Sequence, residues 1–430
     1  AGSIAGQEPE SRSAAASDAH PQALAQALRA YFAAPDANGP ELATVRTLTA
    51  GHDAEVVAML RQKTFLEPRP AIARRGTIDR NYRFVDDAEA PNPALFYGPA
   101  SSAQLPPLVV YVPDTTDSAH FVSQVKREGA ERGYFVLLVP DERRDNLWRP
   151  CEHETRRHTA PLRDLLLQHA IDPDRIYFVG SGRGGHAAWD IGLMRSELWA
   201  AIYPCNGGLI HEGGFQTTGG VFVENAKDLS IFTVFNTSFD HGIESCRLAA
   251  RLCKQWNCRF ESTEEPAMRV MRLVEATPKL ASVARAAHPR TITKRFNRLA
   301  DGSHCWLQAL DRKPKEWDPT AKITVRGTWP QERAEQLQAI WNQVQQECAR
   351  LHGIIAGNSV RIESQGVGRL RIWLDSELLD FAAKVSITVN GRSRPAVQPS
   401  RKLDVMLQRV HATGDTERLY WDFVDVSVPK

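Results

Sequence analysis

Between residues 107 and 240 the chain repeats one pattern, a short run of consecutive apolar residues followed by a longer amphipathic stretch. The runs are "PLVVYV", "YFVLLV", "RIYFVG", "WAAIYP" and "SIFTVF", and helices are predicted near 118–132, 154–170 and 184–195. Uninterrupted β-rich runs of this kind fit strands buried on both faces, in a parallel sheet covered by helices. Ligands of such sheets sit at the carboxyl ends of the strands. Candidate chemistry is therefore sought there.

On either side the pattern changes. Residues 1–20 are small and polar and read as a flexible tail. Over 21–65, "PQALAQALRAYFAA" and "ELATVRTLTAGHDAEVVAMLRQ", split by "PDANGP", predict a helical N-terminal region that Pro68 and Pro70 close off. "TIDRNYRFV" and "ALFYG" predict edge strands opening an α/β domain over 66–320. Within 321–352, Leu337, Ile340, Trp341, Val344, Cys348 and Leu351 recur at helical spacing, with Gly353 at the expected C-terminal cap. That stripe is expected to pack on the chain's own β elements. Beyond it, over 353–430, "SVRIES", "RLRIWLD", "KVSITV" and "RLYWDFVDVSV" alternate at period two, and Asn390-Gly391 signals a hairpin turn. The expected architecture is α/β: a doubly wound, mostly parallel sheet with a small helical N-terminal region and a β-rich C-terminal domain.

Composition narrows the class. With 42% hydrophobic and 24% charged residues over 430 positions, the chain is of ordinary globular type. Lys and Arg number 53 against 51 Asp and Glu, a net +2, too balanced for nucleic acid or an anionic membrane to be the main partner. No run approaches the roughly 18 apolar residues of a membrane span. The small polar tail resembles what remains after signal-peptide cleavage, so a secreted or periplasmic location is expected. Seven cysteines allow up to three disulfides with one thiol left over.

The chemistry concentrates in "YFVGSGRGGHAAW", residues 177–189. Where a strand turns sharply into a helix with a reactive residue at the tip, the positions two before and two after it must be small, because the backbones meet there. With position 182 at the tip the flanks are Gly180 and Gly184. With Ser181 at the tip they are Val179 and Arg183, which violate the rule. The tip residue is therefore Gly182, one place beyond the only nearby serine.

The stretch "HAIDPDRIYFVGSGRGGHAAWDIGLMRSELWAAIYPCNGG" resembles the α/β-hydrolase superfamily, and within it the secreted esterase and prolyl-oligopeptidase-like serine hydrolases. Asp172, Pro173, Asp174 and Arg175 match their signature, as do Gly180, Gly184 and Gly185, while Gly182 stands where that family has its nucleophilic serine. The resemblance implies that Asp240, after "SIFTVFNTSF", is the acid and His304, in "ADGSHCW", the histidine of the triad; Glu244 and Asp301 are weaker acids. It also implies an oxyanion hole built from the Arg183 backbone N–H and a loop after an early strand. That loop is "YVPDTTDSAH", with Pro113 and Asp114 where the family has histidine-glycine. Proline donates no N–H, and the Asp114 carboxylate opposes a developing oxyanion.

Two readings follow. In the first, triad hydrolysis has been lost and the protein binds a protein partner or a small ester- or peptide-like ligand, or serves a structural role. In the second, an active carboxylesterase or peptidase uses Ser181 with His304 and Asp240. No cofactor is expected. His153, Glu154 and His158 imitate a zinc-binding helix, but histidines five apart diverge by about 140° around the axis, whereas the motif needs them four apart. Trp148 is a candidate pocket wall, Trp189 and Trp199 are expected in the core, and His186 is expected to be packed behind the elbow.

Overall fold

The computed structural model describes residues 10–67, 78–82, 94–98, 105–114, 123, 127–129, 131–139, 152–209, 219–237, 240–266, 278–316 and 333–429. The N-terminal helical stretches form α1 (Glu10–Ala33), α2 (Pro40–Thr49) and α3 (Asp53–Gln62). Proline opens α2, where its missing N–H has no helical partner to lose. Lys63, in the left-handed region, closes α3.

Each apolar run of the middle segment becomes a strand. With the two edge runs and one further strand they form β1 (Ile78–Tyr82), β2 (Ala94–Gly98), β3 (Leu108–Val112), β4 (Phe135–Leu138), β5 (Ile176–Ser181), β6 (Ala201–Cys205), β7 (Ser230–Asn236) and β8 (Arg259–Glu265). These make one eight-stranded sheet in the order β1-β2-β4-β3-β5-β6-β7-β8. The pairings of β2 with β1 and β4 are antiparallel, and all others are parallel. The helix expected near 118–132 falls mostly outside the described residues. Helices α4 (Glu152–Gln168) and α5 (Arg183–Met194) lie where they were predicted, and α6 (Asp240–Gln255) follows β7. Alternate residues of the central strands feed different cores: Val110, Val112 and Phe178 pack with Trp189 and Trp199 on one face, and Val109, Tyr111, Tyr177 and Val179 on the other. Both tryptophans are fully buried, as expected.

The C-terminal domain starts earlier than residue 353. Strand β9 (Thr291–Phe296) leaves the parallel sheet and pairs with β12 (Ala349–Ala356), while the short hairpin β10 (Ser303–His304) and β11 (Leu307–Ala309) joins β14 (Arg369–Leu374). With β13 (Ser359–Gln365), β15 (Val385–Val389), β16 (Arg392–Val397) and β17 (Asp422–Ser427) they build a five-stranded sheet, β16-β15-β13-β12-β9, and a four-stranded one, β10-β11-β14-β17. Strands β9, β10 and β11, which lie before residue 320, therefore belong to the C-terminal sheets. Asn390 and Gly391, both at positive φ, make the predicted hairpin turn.

The amphipathic helix is α7 (Arg333–Glu347), with Trp341, Val344 and Cys348 buried in the core of the parallel sheet. Its expected cap is corrected: the chain passes from α7 straight into β12, so Leu351 and Gly353 are strand residues. At Gly353 the Trp306 ring leaves no room for a side chain, a Cβ there lying only 3.1 Å from Trp306 Cζ3. Gly353→Ala is expected to cost about 1–3 kcal/mol through overpacking, read as a shift in the urea midpoint without a change in slope.

Helix α8 (Leu403–Thr413), which precedes β17, closes against the N-terminal helices. Met406, Leu407, Val410, Leu419 and Trp421 share one core with Leu24, Leu28, Tyr31, Val45, Val56 and Phe65. The disulfide allowance is not used among the described residues. No two of Cys205, Cys246, Cys253, Cys258, Cys305 and Cys348 are joined to each other by a disulfide.

Candidate functional site

The elbow is present as architecture. Strand β5 ends at Ser181, α5 begins at Arg183, and Gly182 between them has φ 53° and ψ −115°, a backbone state that side-chain-bearing residues rarely adopt. The Gly182 N–H donates to the Cys205 carbonyl at 2.8 Å, and its own carbonyl accepts from Gly185 at 2.9 Å, so the turn is held from both sides. The flanking glycines meet the predicted requirement. A Cβ on Gly180 would lie 2.9 Å from the Gly185 nitrogen and collide with the Gly184 carbonyl, and one on Gly184 would lie 2.7 Å from the Val112 carbonyl carbon.

The space at the tip is filled. A Cβ built on Gly182 would lie 2.5 Å from Asp114 Cγ and would overlap Asp114 Oδ2 outright. The carboxylate thus stands where a nucleophile's side chain would project. Its place at the N-terminus of α5 is physically favourable, because unsatisfied N–H groups and the helix dipole stabilise an anion there. The same charge opposes a second anion developing beside it, so the Asp114 carboxylate and the bare turn at Gly182 form one arrangement.

Ser181 is a buried strand residue, in register with Cys205 on β6, and is not at the tip. Arg183 is buried in the first turn of α5. The expectation for His304 is corrected. Its Nδ1 lies 3.7 Å from Glu197 Oε2, and Glu197 follows the far end of α5, just before the Ala200 N–H bonds the Ile176 carbonyl. Ile176 opens β5 and Ser181 ends it, a strand about 17 Å long at 3.3 Å per residue, so His304 lies near the end of β5 opposite the elbow. The cause is topological: the chain crosses beneath the sheet by Arg285, whose guanidinium bridges Asp174 and Asp415, and His304 belongs to the C-terminal domain. Asp240 does open α6 at the carboxyl end of β7, but its side chain, like those of Glu244 and Trp148, lies outside the described residues. Asp301 is turned away, accepting from Arg298 Nε at 2.6 Å.

The other candidates prove structural. His186 Nδ1 lies 2.8 Å from the Gly208 carbonyl and holds the loop after β6. His158 Nδ1 lies 2.6 Å from the Glu154 carbonyl of its own helix. In the Asp172-Pro173-Asp174-Arg175 run, Asp172 accepts from the Asp174 N–H and from Arg175 Nε, folding the turn that feeds β5.

A buried ionic cluster with no local sequence signal surrounds Glu197. Its carboxylate accepts from Arg195 Nε at 2.9 Å and faces Lys294 Nζ at 3.4 Å, besides His304. Its backbone carbonyl accepts from Arg418 and Arg285. Burial would raise the Glu197 carboxyl, but Lys294, Arg195 and His304 hold it well below the usual carboxylate range. Burial would lower His304, but the Cys305 thiol and the Glu197 carboxylate beside it push it up to about 9. Cys305 carries a positive φ of 48° at the tip of the β10–β11 hairpin. The cluster joins the two domains and does not face the elbow.

No family model and no curated protein sequence matches the chain. Among solved structures, it resembles a thermostable esterase at 18% identity and TM-score 0.37, over 49% of this chain and 63% of that one, so it spans less than two thirds of that esterase. It resembles a ferulic acid esterase at 13% identity and TM-score 0.38, over 47% and 94%. An S-formylglutathione hydrolase from Agrobacterium tumefaciens aligns at 16% identity and TM-score 0.36, over 48% and 91%. The chain's own strand order and its glycine-flanked turn between β5 and α5 define its architecture. It has the α/β-hydrolase fold, with glycine at the tip of the elbow.

Proposed function

We propose that this protein does not carry out serine hydrolysis and works by binding, as a ligand- or protein-binding component built on a hydrolase scaffold. The carboxylate of Asp114 in the volume of the missing nucleophile carries this reading. An empty tip would leave a pocket for a displaced serine or an activated water, whereas a fixed anion there excludes both the nucleophile and the oxyanion that hydrolysis needs. The distance of His304 from the tip supports the same reading, since no general base from that residue reaches Gly182 or Ser181.

Export belongs to the proposal. The described cysteines are compatible with it because five of the six are buried, which shelters them from oxidants.

The test is activity-based labelling. A serine-directed fluorophosphonate probe is expected to leave the protein unmodified, and short acyl p-nitrophenyl esters are expected to turn over at the rate of the buffer. Labelling that maps to Ser181 and disappears in Ser181→Ala would overturn the reading in favour of an active esterase.

A further inference from the structure

Outside the hydrolase domain, His20 on α1 meets His52 and Glu55 at the start of α3. His20 Nε2 lies 3.7 Å from Glu55 Oε2 and His52 Nδ1 lies 3.5 Å from the same oxygen. All three ligand atoms lie within 4.8 Å of one another. Bonds of about 2.1 Å around a tetrahedral zinc-type ion place its ligand atoms about 3.4 Å apart. Two of the three spacings are already within a few tenths of an ångström of that value, and small side-chain rotations close the third.

Two observations separate this cluster from a pair of surface ion pairs. His20 Nε2 is buried and makes no hydrogen bond, an orphaned ring nitrogen turned toward the other two groups. The two imidazole rings are also neighbours, with centroids 4.8 Å apart at 44°. A dication satisfies both rings and the carboxylate at once.

We propose that His20, His52 and Glu55 form a binding site for a borderline transition-metal dication of the zinc class. Two imidazole nitrogens and one carboxylate oxygen select that class over magnesium and calcium, which take oxygen sets. The side chains are 36%, 51% and 30% exposed, so the fourth ligand position opens to solvent and takes water. The metal fastens the middle of α1 to the first turn of α3.

The experiment uses the full chain. Zinc titrated by calorimetry is expected to bind one equivalent, cobalt(II) is expected to give the visible absorption of a tetrahedral site that zinc bleaches, and magnesium is expected to give no heat. His52→Ala and Glu55→Gln are each expected to weaken zinc binding at least about 10-fold and to remove the rise in Tm that zinc gives the wild type. Absence of saturable zinc binding overturns the proposal, and so does binding that survives both substitutions unchanged, which would place the metal elsewhere, for example on cysteine thiols.

Discussion

Glu197→Ala is expected to destabilise the protein by about 3–5 kcal/mol, the usual result of removing one partner from a buried ionic cluster. Lys294 is fully buried, and the loss of Glu197 leaves its ammonium, among the described residues, bonded to the Met194 carbonyl. Arg195 and His304 lose the same carboxylate. The pH dependence has two limbs. His304 is raised from 6.5 to about 9, so its contribution is fully present below pH 6.5 and is lost as pH rises through 9. That contribution is on the order of 3 kcal/mol. Glu197 is lowered, so its contribution is present above about pH 4.5 and is lost as pH falls below that. Stability from the cluster therefore peaks between about 4.5 and 6.5. Urea midpoints measured across pH are expected to decline on the alkaline side in the wild type and to flatten there in His304→Gln. An alkaline limb that persists in His304→Gln would assign the titration to another group.

Gly182→Ser, which places a hydroxyl at the tip of the turn, is expected to cost about 2–4 kcal/mol and to create no esterase. A side chain at φ 53° is strained, and its Cβ has no room beside the Asp114 carboxylate. Asp114→Gly is expected to relieve the clash, with a coupling energy of about 1–3 kcal/mol in the double-mutant cycle. Neither the single nor the double variant is expected to take up a fluorophosphonate, because His304 remains at the other end of β5. Additive stabilities would show that Asp114 does not occupy the tip, and labelling of the double variant would show that another histidine serves it.

The elbow was legible because everything that specifies it is local. Gly180, Gly182 and Gly184 fall within five residues, and their spacing alone selects the tip. The central strands were legible for the same reason, as β-rich apolar runs. Strand β8 escaped because, at the edge of the sheet, "RFESTEE" alternates exposed and half-buried residues and carries no apolar run. Helix α8 has helical spacing at Leu403, Met406, Leu407 and Val410, but it is short and set between period-two strands. The place of His304 was not legible. Its position in the chain fits the superfamily order, yet where it points depends on β11 pairing with β14, Leu307 opposite Ile372. Nor did Glu197 announce itself, since its partners Lys294 and Arg418 lie 97 and 221 residues away.

The shared core of α1–α3 with α8 has a consequence for how the protein is made. Arg46 and Asp404, an ion pair across that contact, are separated by 358 residues. The apolar faces of the first helices are completed only by residues of α8, far along the chain. Contacts of such sequence separation form late and leave partly folded species exposed to association. The parallel sheet thus lies in the chain between two halves of one helical unit, and that unit is expected to close late in folding.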